Sequence, residues 1–168
     1  MVYTYNFNKK FNKETKGKNP KENPYVFAKL FRGNPYIREI TLHKDTIYIE
    51  DKAFKDCKSL ERINIPPKVE YLTSQMFYGC TSLREIIAEC PIPPKYYLDK
   101  FCCLSDPNDI FDDRKLYFCF RISKLFTEKS NCFEGVDRKK CIIKVPKGSV
   151  ELYKNAHEWK EFENIMEI

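Results

Sequence analysis

Cysteine, histidine and aspartate are the residues of this 168-residue chain whose types and spacing could support chemistry. Four aspartates follow the adjacent Cys102 and Cys103 within ten residues, at Asp106, Asp109, Asp112 and Asp113. Thiolates bind zinc, carboxylates bind calcium, and paired thiols exchange electrons. The eight cysteines are Cys57, Cys80, Cys90, Cys102, Cys103, Cys119, Cys132 and Cys141.

The spacing of these residues does not match a known catalytic or metal-binding pattern. No Cys-x-x-Cys pair is present, so neither the zinc-ribbon nor the thioredoxin spacing is met. The stretch "CCLSDPNDIFDD" lacks the glycine of a calcium loop, and His43 and His157 fall in different predicted elements. No phosphate loop or nucleophile elbow occurs. We therefore predict no cofactor and no catalysis, with a thiol-based redox or metal-dependent enzyme as the alternative.

A second set of residues recurs every 23 positions. "AFKDCKSLERINI" and "MFYGCTSLREIIA" align Phe54 with Phe77, Cys57 with Cys80, Ser59-Leu60 with Ser82-Leu83, and Ile63 with Ile86. The same offset joins Ile37 to Leu60, Ile40 to Ile63, and Ile49 to Leu72. A period of about 20 to 29 residues is the leucine-rich-repeat range. One such coil cannot bury its own apolar face, so it must stack on the next coil.

Each coil is predicted to contain one short strand. "REITL", "ERINI" and "REIIA" alternate between apolar and polar positions, the signature of a strand with one buried face. Pro66 and Pro67 end the strand of the middle coil. A second apolar segment, as in "VEYLTSQMF", leads into a turn on the far side, where Phe54 and Phe77 fill the coil. Inward-facing Cys57 and Cys80 are expected to be buried free thiols.

Polar residues on the other side of these strands also recur every 23 positions. Neighbouring strands lie about 4.8 Å apart, so Arg62 is expected between the carboxylates of Glu39 and Glu85. This pattern is either a charged binding surface or an exposed set of cross-strand pairs worth less than about 1 kcal/mol. With two residues of the last strand, the candidate partner-binding residues are Glu39, Thr41, Arg62, Asn64, Glu85, Ile87, Ile142 and Lys144.

The pattern "AF-x-x-C-x-S-L-x-x-I-x-I-P" resembles the BspA-type leucine-rich repeat of bacterial surface and secreted proteins. The end of the chain resembles the closing segment of such proteins, through Val145, Pro146, Gly148, Ser149, Trp159, Phe162, Asn164 and Ile165. Together the resemblance covers residues 37–94 and 131–168. It implies a binding domain, with a cell-surface interaction or adhesion role and secretion or surface display.

The closing segment is also predicted from its residues to cap the stack. Ser149 is a suitable helix N-cap, and Val150, Tyr153 and Ala156 follow on one helical face. The last coil of a solenoid must be shielded from water. Trp159, the one tryptophan, is expected to supply that shield together with Phe162 and Ile165.

The amino-terminal 24 residues differ in composition from the rest. Six lysines and two glutamates give them +4 of the net charge of +6, and they contain no apolar signal core. We predict a polar, flexible leader over residues 1–24, with an anionic-surface or nucleic-acid binder as the alternative. Nucleic acid is not expected, because the leader has no arginine and no glycine-aromatic interleaving.

Residues 25–168 are predicted to form one repeat domain. It comprises repeats over about 37–94, an aromatic and cysteine-rich insertion over 95–130, and a last strand and cap over 131–168. The insertion is either an extra hairpin or subdomain, or a degenerate repeat that extends the core. No apolar run is long enough to span a membrane. The expected fold is an α+β repeat protein: a short leucine-rich-repeat solenoid with parallel strands on one face and a C-terminal helical cap. It is expected to bind a protein partner.

Overall fold

The computed structural model describes residues 4–6, 25–26, 31–96 and 131–168. Its strands are β1 (Thr4–Asn6), β2 (Tyr25–Val26), β3 (Glu39–Thr41), β4 (Tyr48–Ile49), β5 (Arg62–Ile65), β6 (Tyr71–Leu72), β7 (Glu85–Ala88), β8 (Lys95–Tyr96), β9 (Ile142–Val145) and β10 (Asn164–Glu167). The helix α1 (Val150–Asn155) and a 3₁₀ turn (Trp159–Glu161) separate β9 from β10.

The strands stack as a solenoid. The main sheet of the described residues has the order β1-β3-β5-β7-β9-β10, and β2-β4 and β6-β8 form two smaller sheets. Every pairing is parallel and joins neighbouring coils. Ile40, Ile63, Ile86 and Ile143 are successive Cα partners across the main sheet. The predicted repeat fold, its parallel strands and its C-terminal helix are confirmed.

Equivalent apolar side chains form continuous columns inside the stack. The rings of Phe31, Phe54, Phe77 and Phe133 stack with centroid separations of 5.4 to 5.6 Å. Leu60, Leu83, Ile63 and Ile86 are all buried, as the repeat predicted. The Phe77 amide also donates to the Cys132 carbonyl at 2.9 Å. The coil that begins at residue 131 therefore stacks directly on the coil that holds Phe77.

A second column consists of turn residues with left-handed backbone. Gly33, Asp56, Gly79 and Gly135 have φ between 59° and 87°. The amides of the first three donate to the next coil: Gly33 to the Lys55 carbonyl at 2.8 Å, Asp56 to the Tyr78 carbonyl at 2.7 Å and Gly79 to the Glu134 carbonyl at 2.8 Å. Glycine adopts this conformation without strain, and aspartate is among the residues that tolerate it best. At Gly79 a Cβ would lie only 2.5 Å from Asp56 Oδ1.

The C-terminal segment closes the stack, as predicted. Trp159 is fully buried and packs edge-on against Phe133 and Tyr153, with ring centroids 5.5 and 5.0 Å apart. Ser149 occupies the predicted N-cap position, but its hydroxyl makes no capping bond and instead donates to the Pro91 carbonyl at 2.9 Å. The strand β10, which follows the 3₁₀ turn and pairs with β9, was not predicted.

The predicted domain divisions lie partly outside the described residues. The strand β1 falls within the segment predicted as a leader and pairs with β3, whereas residues 7–24 are not described. The first two residues of the predicted insertion form β8 and pair with β6. The character of residues 97–130 and the binding alternative for the leader stay predictions.

In the described part of the chain, no helix is long and apolar enough to cross a membrane.

The close approach at Gly79 yields a stability prediction. Gly148 has a similar φ of 79° but nothing within 4 Å of a built Cβ, so Gly148→Ala should cost only the left-handed penalty of about 1 to 2 kcal/mol. Gly79→Ala should cost roughly 0.5 to 1.5 kcal/mol more, because its methyl group forces the half-buried Asp56 carboxylate into another rotamer. Urea unfolding of both variants measures the difference. The double variant with Asp56→Gly should recover most of the extra cost, and equal costs for the two single variants would contradict the prediction.

Candidate interaction surface

The eight predicted contact residues lie on four neighbouring strands of the main sheet. Cα pairing aligns Glu39 with Arg62, Arg62 with Glu85, and Glu85 with Ile142. A parallel row, two residues further along each strand, contains Thr41, Asn64, Ile87 and Lys144, of which the last three are paired in register. The fold thus brings together residues spread over more than 100 positions of sequence. We call this side of the sheet the strand face.

The charges on the strand face form two ion pairs. Arg62 pairs with Glu39, and the hydrogen bond to that carboxylate, aided by its charge, raises the pKa of the guanidinium. Lys144 Nζ lies 3.1 Å from Glu85 Oε2. Arg62 is aligned with both carboxylates, as predicted, but its bond goes to Glu39. Partly exposed pairs of this kind contribute about 0 to 1 kcal/mol, so their main effect is to leave the face with no net charge.

Asn64 differs from its predicted outward orientation. Its side chain is only 8% exposed. Its Oδ1 accepts from the Leu42 amide at 2.5 Å, and its Nδ2 donates to the Leu42 carbonyl at 3.2 Å and to Glu89 Oε1 at 3.0 Å. The physical reason is that β3 ends at Thr41, so the backbone of Leu42 needs partners beyond the ladder. Short amide side chains commonly supply such bonds. Asn64 therefore stabilises the strand face through buried hydrogen bonds and does not belong to its accessible surface.

The strand face extends further than the sequence indicated. Asn164 pairs in register with Ile142, and Met166 pairs with Lys144. Both are exposed, Met166 by 44%. Ile87, Ile142 and Met166 therefore offer apolar surface on three successive strands. The alternation in "NIME" could have indicated this strand, but four residues behind a helical segment form a weak signal.

The described cysteines are structural. Cys57, Cys80, Cys90, Cys132 and Cys141 are buried and free of disulfides. The thiols of Cys57 and Cys80 donate to the carbonyls of Phe31 and Phe54 in the preceding coil, at 2.9 and 3.1 Å. Burial raises the pKa of Cys57 to about 11 and the pKa values of Cys90 and Cys141 to about 12. The predicted buried free thiols at Cys57 and Cys80 are confirmed.

A metal or redox site is not visible in the described part of the chain. Over these residues no three histidine, cysteine, aspartate or glutamate side chains are grouped so that they could hold a metal ion. Cys102, Cys103, Cys119 and the aspartates near them lie outside the described residues. The alternative of a thiol-based or metal-dependent enzyme in that segment stays a prediction.

Stacked parallel strands, an aromatic column and a 23-residue coil repeated from β3 to β7 together define a leucine-rich-repeat solenoid. The family described as "BspA type leucine rich repeat region" matches residues 2–94 in six copies. The chain belongs to this family, which confirms the resemblance drawn from its repeats. The match begins at residue 2, within the predicted leader, and the capping segment lies beyond it. A comparison with curated proteins finds no match.

The position of Asn64 yields a second prediction. Asn64→Leu keeps the approximate side-chain size but leaves the amide and carbonyl of Leu42 without partners. Each unsatisfied buried group costs about 1 to 3 kcal/mol, so the loss of partners for two groups should lower the unfolding free energy by roughly 2 to 6 kcal/mol. Thr41→Val, at the exposed neighbouring position, should change it by less than about 0.5 kcal/mol. Urea unfolding measures the free energy of unfolding of both variants. Similar losses in the two would show that the hydrogen bonds of Asn64 do not stabilise the fold.

The raised thiol pKa values yield a third prediction. At pH 8 the five described thiols should not react with Ellman's reagent in the native protein, whereas all eight should react in denaturant. An unfolded thiol ionises near pH 8.5, whereas the buried thiols ionise at higher pH. Their contribution to the free energy of unfolding should therefore be fully present below pH 8.5 and should decrease as the pH rises above it. Peptide mass spectrometry locates the labelled sites. Rapid native labelling of Cys57 or Cys90 would contradict the prediction.

Proposed function

We propose that this protein is a non-catalytic binding domain whose strand face recognises a protein partner. The observation that carries the proposal is the register of the main sheet, which holds seven of the eight predicted residues on one accessible face of four strands. Membership of a leucine-rich-repeat family supports it, since such repeats typically serve protein–protein interaction and are generally non-catalytic. A solenoid offers a broad, rigid surface rather than an enclosed pocket.

The chemistry of the strand face suits a partner of mixed polarity. Its two ion pairs cancel, so no strong field selects an oppositely charged ligand. Arg62, which is exposed, and the apolar Ile87 and Ile142 are the side chains best suited to anchor a contact. Arginine and well-packed apolar groups dominate binding energy more often than small polar ones. We expect these three residues to contribute most of the affinity.

The proposed setting is a bacterial cell surface, where the domain would act in adhesion. The support is the family resemblance, because BspA-type repeats occur in bacterial surface and secreted proteins. The search for a partner therefore begins with extracellular host and bacterial proteins, captured on the immobilised domain. In this proposal, residues 97–130 contribute one wall beside the strand face. A partner whose binding is unaffected by changes on the strand face and by changes in residues 97–130 would argue against a binding role for either one.

A partner obtained in this way allows the strand face to be tested directly. Arg62→Glu places a third carboxylate between Glu39 and Glu85, and Ile87→Asp adds charge to the apolar part of the face. Each should weaken binding by at least about tenfold, which corresponds to roughly 1.4 kcal/mol. Lys58→Glu, an equally drastic change at an exposed turn outside the face, is the matched control. Calorimetric titration measures affinity, and circular dichroism checks that each variant is folded.

Deletion of residues 97–130 separates the two surfaces. If both strand-face variants stay within about threefold of the original affinity while a folded deletion variant loses binding, the strand-face assignment is wrong. The reverse outcome, loss with the substitutions and retention after the deletion, supports the strand face alone.

A further inference from the structure

The connection between β7 and β8 presents a large apolar side chain to solvent. Residues 90–94 have the sequence Cys-Pro-Ile-Pro-Pro, and Ile92 at the centre is 72% exposed. The segment is held firmly from the cap: Tyr153 donates to the Cys90 carbonyl at 2.8 Å, and Trp159 donates to the Pro94 carbonyl at 3.1 Å. The Ser149 hydroxyl binds the Pro91 carbonyl between them. Ile92 is thus displayed on a rigid support.

This side chain forms part of the lining of a groove. It has a volume of about 350 Å³ and is mainly apolar, with walls that include Pro67, Val69, Tyr71, Pro91 and Pro93. Glu70 and Lys95 bring one charge of each sign to it. Both are exposed, and neither forms an ion pair with another residue in the described part of the chain. The groove is built around β6 and β8, so it is distinct from the strand face.

We propose that this groove is a two-fold docking surface for a second copy of the same chain. A two-fold interface uses one patch on both subunits, so that patch must be complementary to itself. Here a single patch carries a projecting apolar side chain and an apolar groove, together with a carboxylate and an ammonium group that form no ion pair among the described residues. In the dimer, Ile92 of each subunit occupies the groove of the other, and Glu70 of each faces Lys95 of the other.

The rigidity of the segment favours this contact. Three prolines restrict the backbone around Ile92, and the three bonds from the cap hold the segment in one place. Little conformational freedom is therefore lost when Ile92 is buried. The patch is small, which places the interface among weak associations. We expect a dissociation constant on the order of 10 to 100 µM.

Sedimentation velocity of the full chain tests the proposal. Protein concentrations from about 1 to 300 µM extend below and above the expected dissociation constant. The sedimentation coefficient should rise from the monomer value towards the dimer value. Ile92→Asp should abolish the rise. Tyr36→Asp is the matched control, because Tyr36 is 75% exposed and does not line the groove; this variant should dimerise normally. Native Trp159 emission checks that Ile92→Asp keeps the cap closed.

Charge reversal tests the pairing within the interface. Glu70→Lys and Lys95→Glu should each weaken dimerisation at least about tenfold at low salt, because each opposes like charges across the two-fold axis. The double variant should restore the dimer to within about threefold, since the pair is reversed but intact. A wild-type chain that stays monomeric throughout overturns the proposal. So does dimerisation that survives Ile92→Asp, or a double variant as weak as the single ones. Arg62→Glu should leave dimerisation unchanged, so this result is independent of the strand face.

Discussion

Parallel pairing of equivalent positions in successive coils, 23 residues apart from β3 to β7, is the constraint on which the rest of the structure depends. It places each residue beside its counterpart in the next coil, so every position must be compatible with a neighbour of its own kind. Apolar positions satisfy this by forming columns, as the four phenylalanines do. Charged positions satisfy it by alternating in sign: Arg38 pairs with Glu61, Glu39 with Arg62, Asp45 with Lys68, and Arg138 with Glu161, all 23 residues apart. Each pair is weak, but like charges in these columns would oppose the stacking.

The end of the stack needs a different solution, because the last coils have no further copy to bind. The carbonyls of Cys90, Pro91 and Pro94 accept bonds from a tyrosine, a serine and a tryptophan of the cap. Indole and hydroxyl groups of the cap thus supply the donors for these three backbone carbonyls. Trp159 also packs on Phe133, together with Phe162, so one short segment meets both the polar and the apolar requirements of the final surface. The cap consequently also determines the position of Ile92.

Much of this arrangement could be predicted from local pattern. The 23-residue period located the strands, and the two-residue alternation separated buried isoleucines from the charged row. The features that were missed depend on contacts between distant residues. The burial of Asn64 follows from the end of β3 at Thr41, a boundary that no periodicity marks. The ion pair between Lys144 and Glu85 joins residues that are not Cα partners, because Glu85 is aligned with Ile142. The 23-residue period compares only aligned positions, so it did not indicate this pair. The strand β10 and the bond of Ser149 to Pro91 required knowledge of how the cap folds back.

The direct stacking of Phe133 on Phe77 has a consequence for how such chains change over evolutionary time. The chain leaves the described coils at Tyr96 and returns at Asn131, yet the two aromatic rings stack as closely as those of uninterrupted repeats. The entropy of closing a loop grows only with the logarithm of its length, about 0.6 kcal/mol for each doubling. A change in the number of residues between these two points therefore alters the closure entropy only slightly, as long as Phe77 and Phe133 keep their stacking. Such a junction allows diversification in one place while the stacked scaffold keeps its sequence requirements.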